Sequence, residues 1–297
     1  VIVPAFTFPA TANVVENLGA KTLLCDVDEN SYVVTPAEIE KTIRANQDKS
    51  IKAIMVVHEF GYPALVADIR KLADDHGLYL IEDAACALGT SANDKHVGYY
   101  SHAACFSFHP RKAITTGEGG AVISNDSGLI ESIRKFRNHG IAVDNGVVDF
   151  EVAGLNYRMT DFQAALAIGQ LERFDQEIVA RKKLAAVYQN NLANISGVTL
   201  PHVHDGHSWQ SFMLVLNKDI ERKQLIGMLR EKNIETNLGA QALHVLAYYR
   251  DRYAFAPDDL PNALRLYQSG LVLPLYGKLD VADIEYVSET ISGLLQS

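Results

Sequence analysis

Two stretches, residues 51–57 (IKAIMVV) and 78–82 (LYLIE), are apolar at nearly every position rather than at every second one. A strand with one wet face alternates apolar and polar side chains, so a strand that is apolar throughout has to be covered on both faces. Between them, residues 64–76 carry a helical pattern that stops at Gly77. Buried strands alternating with helices predict a mostly parallel sheet flanked by helices, an α/β architecture. The same alternation starts at the N-terminus, with strand at 1–3, helix at 10–18 stopped by Gly19, and strand at 21–27. Thr35-Pro36-Ala37-Glu38 reads as a capping box with proline in the first turn, which predicts a helix to about Arg44.

Further along, the pattern predicts a strand at 121–124, a helix at 129–138, and an irregular excursion over 141–155. A second capping box, Thr160 to Gln163, opens a long, broken helix running to residue 192. Beyond Pro201, a strand at 211–216, a helix at 221–232 and a final helix from Val281 describe a smaller α+β domain. The expected division is therefore 1–192 and 193–297. The chain has 297 residues, of which 48% are hydrophobic, enough for a large core. A net charge of −9 and a pI near 5.6 exclude a basic surface for nucleic acid or an anionic membrane, and no apolar run reaches membrane-spanning length. Three widely spaced cysteines, Cys25, Cys86 and Cys105, sit in apolar runs and read as reduced core thiols of a cytosolic protein. The chain opens inside a strand, Val1-Ile2-Val3-Pro4, so a preceding segment is expected to be missing.

Chemistry concentrates in residues 104–120, ACFSFHPRKAITTGEGG. Pro110 forces a turn at the end of an apolar strand and presents Lys112 there, where open α/β sheets carry their sites. A lysine beside buried strands gives up its proton more readily than a surface lysine and can attack an aldehyde; the alternative is an ordinary solvated loop charge. Asp83 ends the strand at 78–82 and can share a crevice with Lys112; alternatively it caps a helix or makes a structural ion pair. A carboxylate with a lysine suits a pyridinium cofactor, which needs one at its ring nitrogen and the other at its aldehyde. Phe6 and Phe8 offer aromatic faces for a flat ring, or belong to the core. Ser107 and the amides of residues 115–120 offer donors for a phosphate, or serve as turn residues. His202, His204 and His207 lack the ligand pattern of a metal centre, so no metal is expected. Cys86, in an apolar neighbourhood, reads as inert.

Several motifs occur together and in order: PAFTFPATAN, EDAA, FSFHPRKAITTGEGGA, RNHGI, GLNYRMTDFQAALAIGQL, IETNLGAQALH and LPLY. With them the chain resembles, nearly end to end, the DegT/DnrJ/EryC1/StrS family of sugar aminotransferases. That resemblance implies the fold type I of pyridoxal phosphate (PLP) dependent transferases. It also implies a homodimer with shared active sites, and cytoplasmic transfer of an amino group from glutamate to a nucleotide-linked keto-deoxysugar. Lys112 would hold the cofactor's aldehyde and shuttle a proton between the donor's Cα and C4′. Asp83 would pair with the pyridine nitrogen, Phe8 would stack on the ring, and Ser107 would bind the phosphate. His109 would stand close to cofactor and substrate, and Asn156 and Arg158 would reach the neighbouring subunit's phosphate. Related sugar dehydratases carry histidine where this chain has Lys112, which favours amino transfer. The chain departs from the family at Cys86, where glutamine is usual, and in lacking the N-terminal Ser-Gly-Thr phosphate loop. The alternatives are a non-catalytic regulatory or scaffold protein of this fold and an aminotransferase acting on a cyclitol or other ketone. A nicotinamide oxidoreductase is disfavoured because no GxGxxG follows an early strand.

Overall fold

The computed structural model describes residues 1–47 and 49–296. Its centre is a six-stranded sheet built from β1 (Ile2–Pro4), β2 (Leu23–Cys25), β3 (Ala53–Val57), β4 (Tyr79–Asp83), β5 (Ala103–Ser107) and β6 (Gly120–Ile123), in the order β2-β1-β3-β4-β5-β6. The first five strands run parallel and β6 returns antiparallel to β5. The continuous apolar runs become β3 and β4, at the middle of the sheet, as burial on both faces requires. Register sets Val57 beside Asp83, Asp83 beside Cys105, and Ser107 beside Gly120. The carboxyl ends of β3, β4 and β5 therefore stand side by side, and the loops leaving them meet at one edge.

Local chemistry sets the helix ends. Thr35 accepts from the Glu38 N–H to open Pro36–Arg44, and Asp126 accepts from the Gly128 and Leu129 N–H groups to open Ser127–Phe136. The box at Thr160 is complete, with Thr160 and Gln163 satisfying each other's backbone, and the helix it opens is broken into Asp161–Leu171 and Phe174–Leu192.

Two expectations fail. Residues 141–155 are not irregular throughout: Ile141–Asp144 and Val147–Phe150 form an antiparallel hairpin. Its turn is Asn145-Gly146, both at positive φ (48° and 81°), the pairing that a tight two-residue hairpin needs. Nor are all three cysteines core thiols. Cys25 is buried, but Cys86 is half-buried and Cys105 projects from an open face of the sheet.

A second core lies beyond the central sheet. The strands Val198–Thr199, Phe212–Leu216 and Gly270–Leu273 form an antiparallel sheet. It packs with Arg222–Glu231, Val281–Gln296 and Leu184, Tyr188 and Leu192 of the long helix. Sequence periodicity did not reveal the helices Ala247–Tyr253 and Pro261–Ser269. Phe6–Thr7, just past β1, pairs antiparallel with Gln241–Ala242, so this late segment returns to the first core, where Ala240, Ala242 and Leu243 are buried together with Phe6. Among the described residues, no helix is long and apolar enough to cross a membrane.

Candidate active site

Asp83 is the last residue of β4. Its Oδ2 accepts from the Thr11 hydroxyl at 2.7 Å and its Oδ1 from the Ala85 N–H at 3.1 Å. Thr11 stands in the first turn of the helix Ala10–Asn17, and its hydroxyl lies 3.1 Å from that of Thr7. Two donors fix the carboxylate's orientation while leaving lone pairs for a ligand, because a carboxylate has about four acceptor positions.

Lys112 reaches the same edge through a tight turn after β5. The His109 N–H donates to Ser107 Oγ at 3.3 Å, the Arg111 N–H to His109 Nδ1 at 3.2 Å, and the Lys112 N–H to the His109 carbonyl at 2.9 Å. Gln210 Nε2 anchors the turn from the second core by donating to the Arg111 carbonyl at 2.7 Å. The Lys112 ammonium then donates to Cys86 Sγ at 3.1 Å. Cys86 is therefore not in an apolar pocket, as its sequence neighbours suggested. Burial and the nearby Glu59 push its thiol up to about 11, against the pull of Lys112, and it stays a thiol.

The turn Glu59–Gly61 after β3 brings in a residue that sequence reasoning missed. His58 Nδ1 accepts from the Ala64 N–H at 3.1 Å, which leaves Nε2 to donate to Glu82 Oε2 at 2.7 Å. Burial raises the Glu82 carboxyl, but the hydrogen bonds from His58 and the Gly98 N–H outweigh it and hold the group below its usual range. The His58 N–H donates to the Asp83 carbonyl at 3.2 Å, locking the turn to β4. Glu59, only 6% exposed, is thereby held inside the site. Burial and then the charge of Asp83 push its carboxyl up to about 7, with Lys112 opposing. No periodicity or motif flags Glu59; only its place just beyond a largely buried strand could have found it.

The other candidates are spread more widely. Phe8 follows Thr7 and is 64% exposed. In the loop at 115–120, the Thr115 N–H donates to Gln170 Oε1, the Thr116 N–H to the Phe108 carbonyl and the Gly117 N–H to Thr115 Oγ1. These three amides are committed within the protein and are not available to a phosphate. Asn156 and Arg158 are exposed. Arg158 donates to Asn138 Oδ1 at 2.7 Å, and Asn138 bridges to Asn156. No hydrogen bond among the described residues joins either of them to Lys112, Asp83 or Ser107. His207 stacks on Trp209 with ring centroids 3.8 Å apart and bonds the Phe60 carbonyl, while His204 Nδ1 accepts from the Gly206 N–H.

This donor set fits pyridoxal phosphate. Lys112 offers a primary amine, Asp83 a carboxylate with free lone pairs, and Ser107, one strand over, a hydroxyl. When bound, the cofactor supplies an aldehyde for an amine and a ring that withdraws electrons from the carbon being deprotonated. The chain's part is to hold Asp83 and Lys112 in register and to keep protons at defined atoms.

Comparison with known proteins agrees with this geometry. The chain is 32% identical to the spore coat polysaccharide biosynthesis protein SpsC of Bacillus subtilis, with 100% of this chain and 79% of the relative aligned. It superposes on Helicobacter pylori PseC, an aminotransferase involved in the biosynthesis of pseudoaminic acid, with a TM-score of 0.93 at 26% identity, covering 99% of this chain and 79% of that one. On S. venezuelae DesV, solved with a ketimine intermediate, the TM-score is 0.90 at 29% identity, covering 100% and 78%. A profile of the family matches residues 1–292. The chain belongs to the DegT/DnrJ/EryC1/StrS aminotransferase family and is a pyridoxal phosphate-dependent aminotransferase.

Proposed function

We propose that this aminotransferase moves an amino group from glutamate to a ketone on a nucleotide-linked keto-deoxysugar in the cytoplasm, with Lys112 as the amine that holds the cofactor. The observation that carries the reading is the convergence of Lys112, Cys86 and Asp83 at adjoining strand ends. PseC and SpsC support a sugar substrate, since the first is named for making pseudoaminic acid and the second for making a coat polysaccharide. In this reading Phe8 stacks on the cofactor ring, Ser107 binds its phosphate, and His109 stands beside the substrate.

The site is completed by a second copy of the chain. Asn156 and Arg158 are exposed, and the adjoining helix Asp161–Leu171 exposes Phe162 (80%), Leu166, Ile168 and Leu171. An apolar helix face of this size favours burial against a partner, which would carry Asn156 and Arg158 to the neighbouring site.

The test is borohydride reduction after incubation with PLP, followed by peptide mapping and a screen of nucleotide-sugar ketones with glutamate. Label on Lys112 and turnover of such a ketone are expected, and Lys112→Ala should abolish both while leaving the fold intact. Full turnover by Lys112→Ala refutes the assignment.

A further inference from the structure

The chain leaves β5 at Ser107 and returns in β6 at Gly120, directly opposite. The excursion between them carries Lys112, and backbone pairing closes its base. The Phe108 N–H donates to the Gly119 carbonyl at 2.9 Å and the Thr116 N–H to the Phe108 carbonyl at 3.0 Å. The Thr115 hydroxyl donates to the same Phe108 carbonyl at 3.0 Å, and the Thr116 hydroxyl to the Glu118 carbonyl at 2.8 Å. A loop closed only on itself could still swing as a unit about its two strand ends. Two side chains of the helix Asp161–Leu171 oppose that motion.

Gln170 engages both polar groups of Thr115: its Oε1 accepts from the Thr115 N–H at 3.0 Å and its Nε2 donates to the Thr115 carbonyl at 2.7 Å. The second hydrogen of Nε2 is directed to the Leu166 carbonyl at 2.6 Å. A flipped amide would set its NH2 against the Thr115 N–H, so the side chain has one orientation. Gln163 accepts from the Thr160 N–H at 3.0 Å through Oε1 and donates from Nε2 to the Glu118 carbonyl at 2.8 Å. The same glutamine thus caps its helix and grips the loop. Gln163, Ala164, Ala167 and Gln170 lie on the covered face of this helix, while Phe162 and Ile168 are exposed. A surface helix ordinarily buries its large apolar side chains and exposes its glutamines. Here the order is reversed: the alanines are small enough for close approach, and the glutamines do the holding. From the other side of the turn, Gln210 Nε2 donates to the Arg111 carbonyl at 2.7 Å. Lys112 therefore stands between an anchored Arg111 and an anchored Thr115.

We propose that Gln163 and Gln170 are positioning residues of the amino-transfer site: they clamp the loop at Thr115 and Glu118 and, opposite Gln210, fix where Lys112 presents its amine. The inference rests on Lys112 as the amine that holds the cofactor, the reading given under the proposed function.

Two measurements on the full chain test this. Gln170→Leu keeps the bulk of the side chain and removes both hydrogen bonds to Thr115. Hydrogen–deuterium exchange of the cofactor-free protein should show the amides of residues 115–117 exchanging roughly tenfold faster in the variant, with those of β3 and β4 unchanged. Equal exchange in the two proteins overturns the clamp. Mixing cofactor-free protein with PLP and following the absorption of the Lys112 adduct then separates binding from placement of the amine. The PLP concentration at half-maximal rate reads binding, and the limiting rate reads how well the amine is aimed. Gln170→Leu should lower the limiting rate roughly tenfold and leave the half-maximal concentration within about twofold. A contact that served stability alone would leave the limiting rate unchanged, and that result overturns the positioning role. Gln163→Ala, which frees only the Glu118 end, should shift both readouts in the same direction by less, and it carries the test if Gln170→Leu does not fold. Failure of the wild type to form an adduct on Lys112 refutes the reading of the lysine instead, and the exchange result still decides whether the clamp exists.

Discussion

Replacing Glu59 by glutamine should change how stability depends on pH. The Glu59 carboxyl titrates at about 7 in the folded chain against an ordinary 4.5. Between those values the folded protein holds a proton that the unfolded chain has released. For an acid whose folded pKa is raised, the unfolded state binds fewer protons in this window, so stability falls as pH rises through it. The penalty is absent below about pH 4.5 and complete above about pH 7. At about 1.4 kcal/mol for each pH unit, it amounts to roughly 3 kcal/mol. Glutamine does not titrate, so the variant escapes the penalty. Urea unfolding of both proteins, without cofactor, at about pH 5, 6, 7 and 8.5 reads the effect directly. The stability difference should move in favour of Glu59→Gln by roughly 3 kcal/mol between the acid and alkaline ends. Glu82, whose lowered pKa gives stability that is lost as pH falls, is present in both proteins and cancels. A difference that stays constant with pH would mean that Glu59 titrates normally, and would falsify the account of its burial.

Two further outcomes follow from the geometry. Gly61 sits at φ +88°, and a Cβ there would stand 2.3 Å from Ser208 Oγ, 3.0 Å from the Cys86 carbonyl and 3.2 Å from the Gln210 N–H. Gly61→Ala should therefore cost about 3 kcal/mol in chemical denaturation and loosen the Glu59 turn, lowering PLP affinity; unchanged stability would contradict the packing. Phe162→Asp combined with Ile168→Asp should give a monomer in light scattering that has lost amino transfer, whereas an active dimer would place the partner elsewhere.

Much of the fold could be read in the sequence because its signals are local. The apolar runs in β3 and β4, the proline-led helix after Thr35 and the box at Thr160 each act within a few residues, and each predicts its element to within a residue or two. The hairpin around Asn145-Gly146 was equally local: Asn-Gly between the apolar runs 141–143 and 147–148 is a hairpin signal that the irregular reading of 141–155 passed over. Gln241–Ala242 could not be read at all, since it is strand only because Phe6–Thr7 lies beside it. The site divides in the same way. Asp83 stands out because it closes a buried strand and Lys112 because Pro110 turns the chain just before it, and motif order tied them to a family. Glu59 follows a buried strand too, yet its neighbours Asp83, Cys86 and Lys112 are brought to it only by the fold. Cys86 was misjudged because its sequence neighbours are apolar while its spatial neighbour is the Lys112 ammonium.

The pairing of Phe6–Thr7 with Gln241–Ala242 also bears on how the molecule can move. Leu243 donates to the Ala5 carbonyl at 2.7 Å, Gln210 to the Phe60 carbonyl at 2.9 Å, and Ser208 to the Gly61 carbonyl at 3.2 Å. The C-terminal half of the chain thus holds Thr7, the Glu59 turn and, through Gln210, the lysine loop together. A hinge opening there would have to break several backbone hydrogen bonds at once and would drag Thr7 away from Thr11. Any opening between these layers would therefore disturb the Glu59 turn and the lysine loop together.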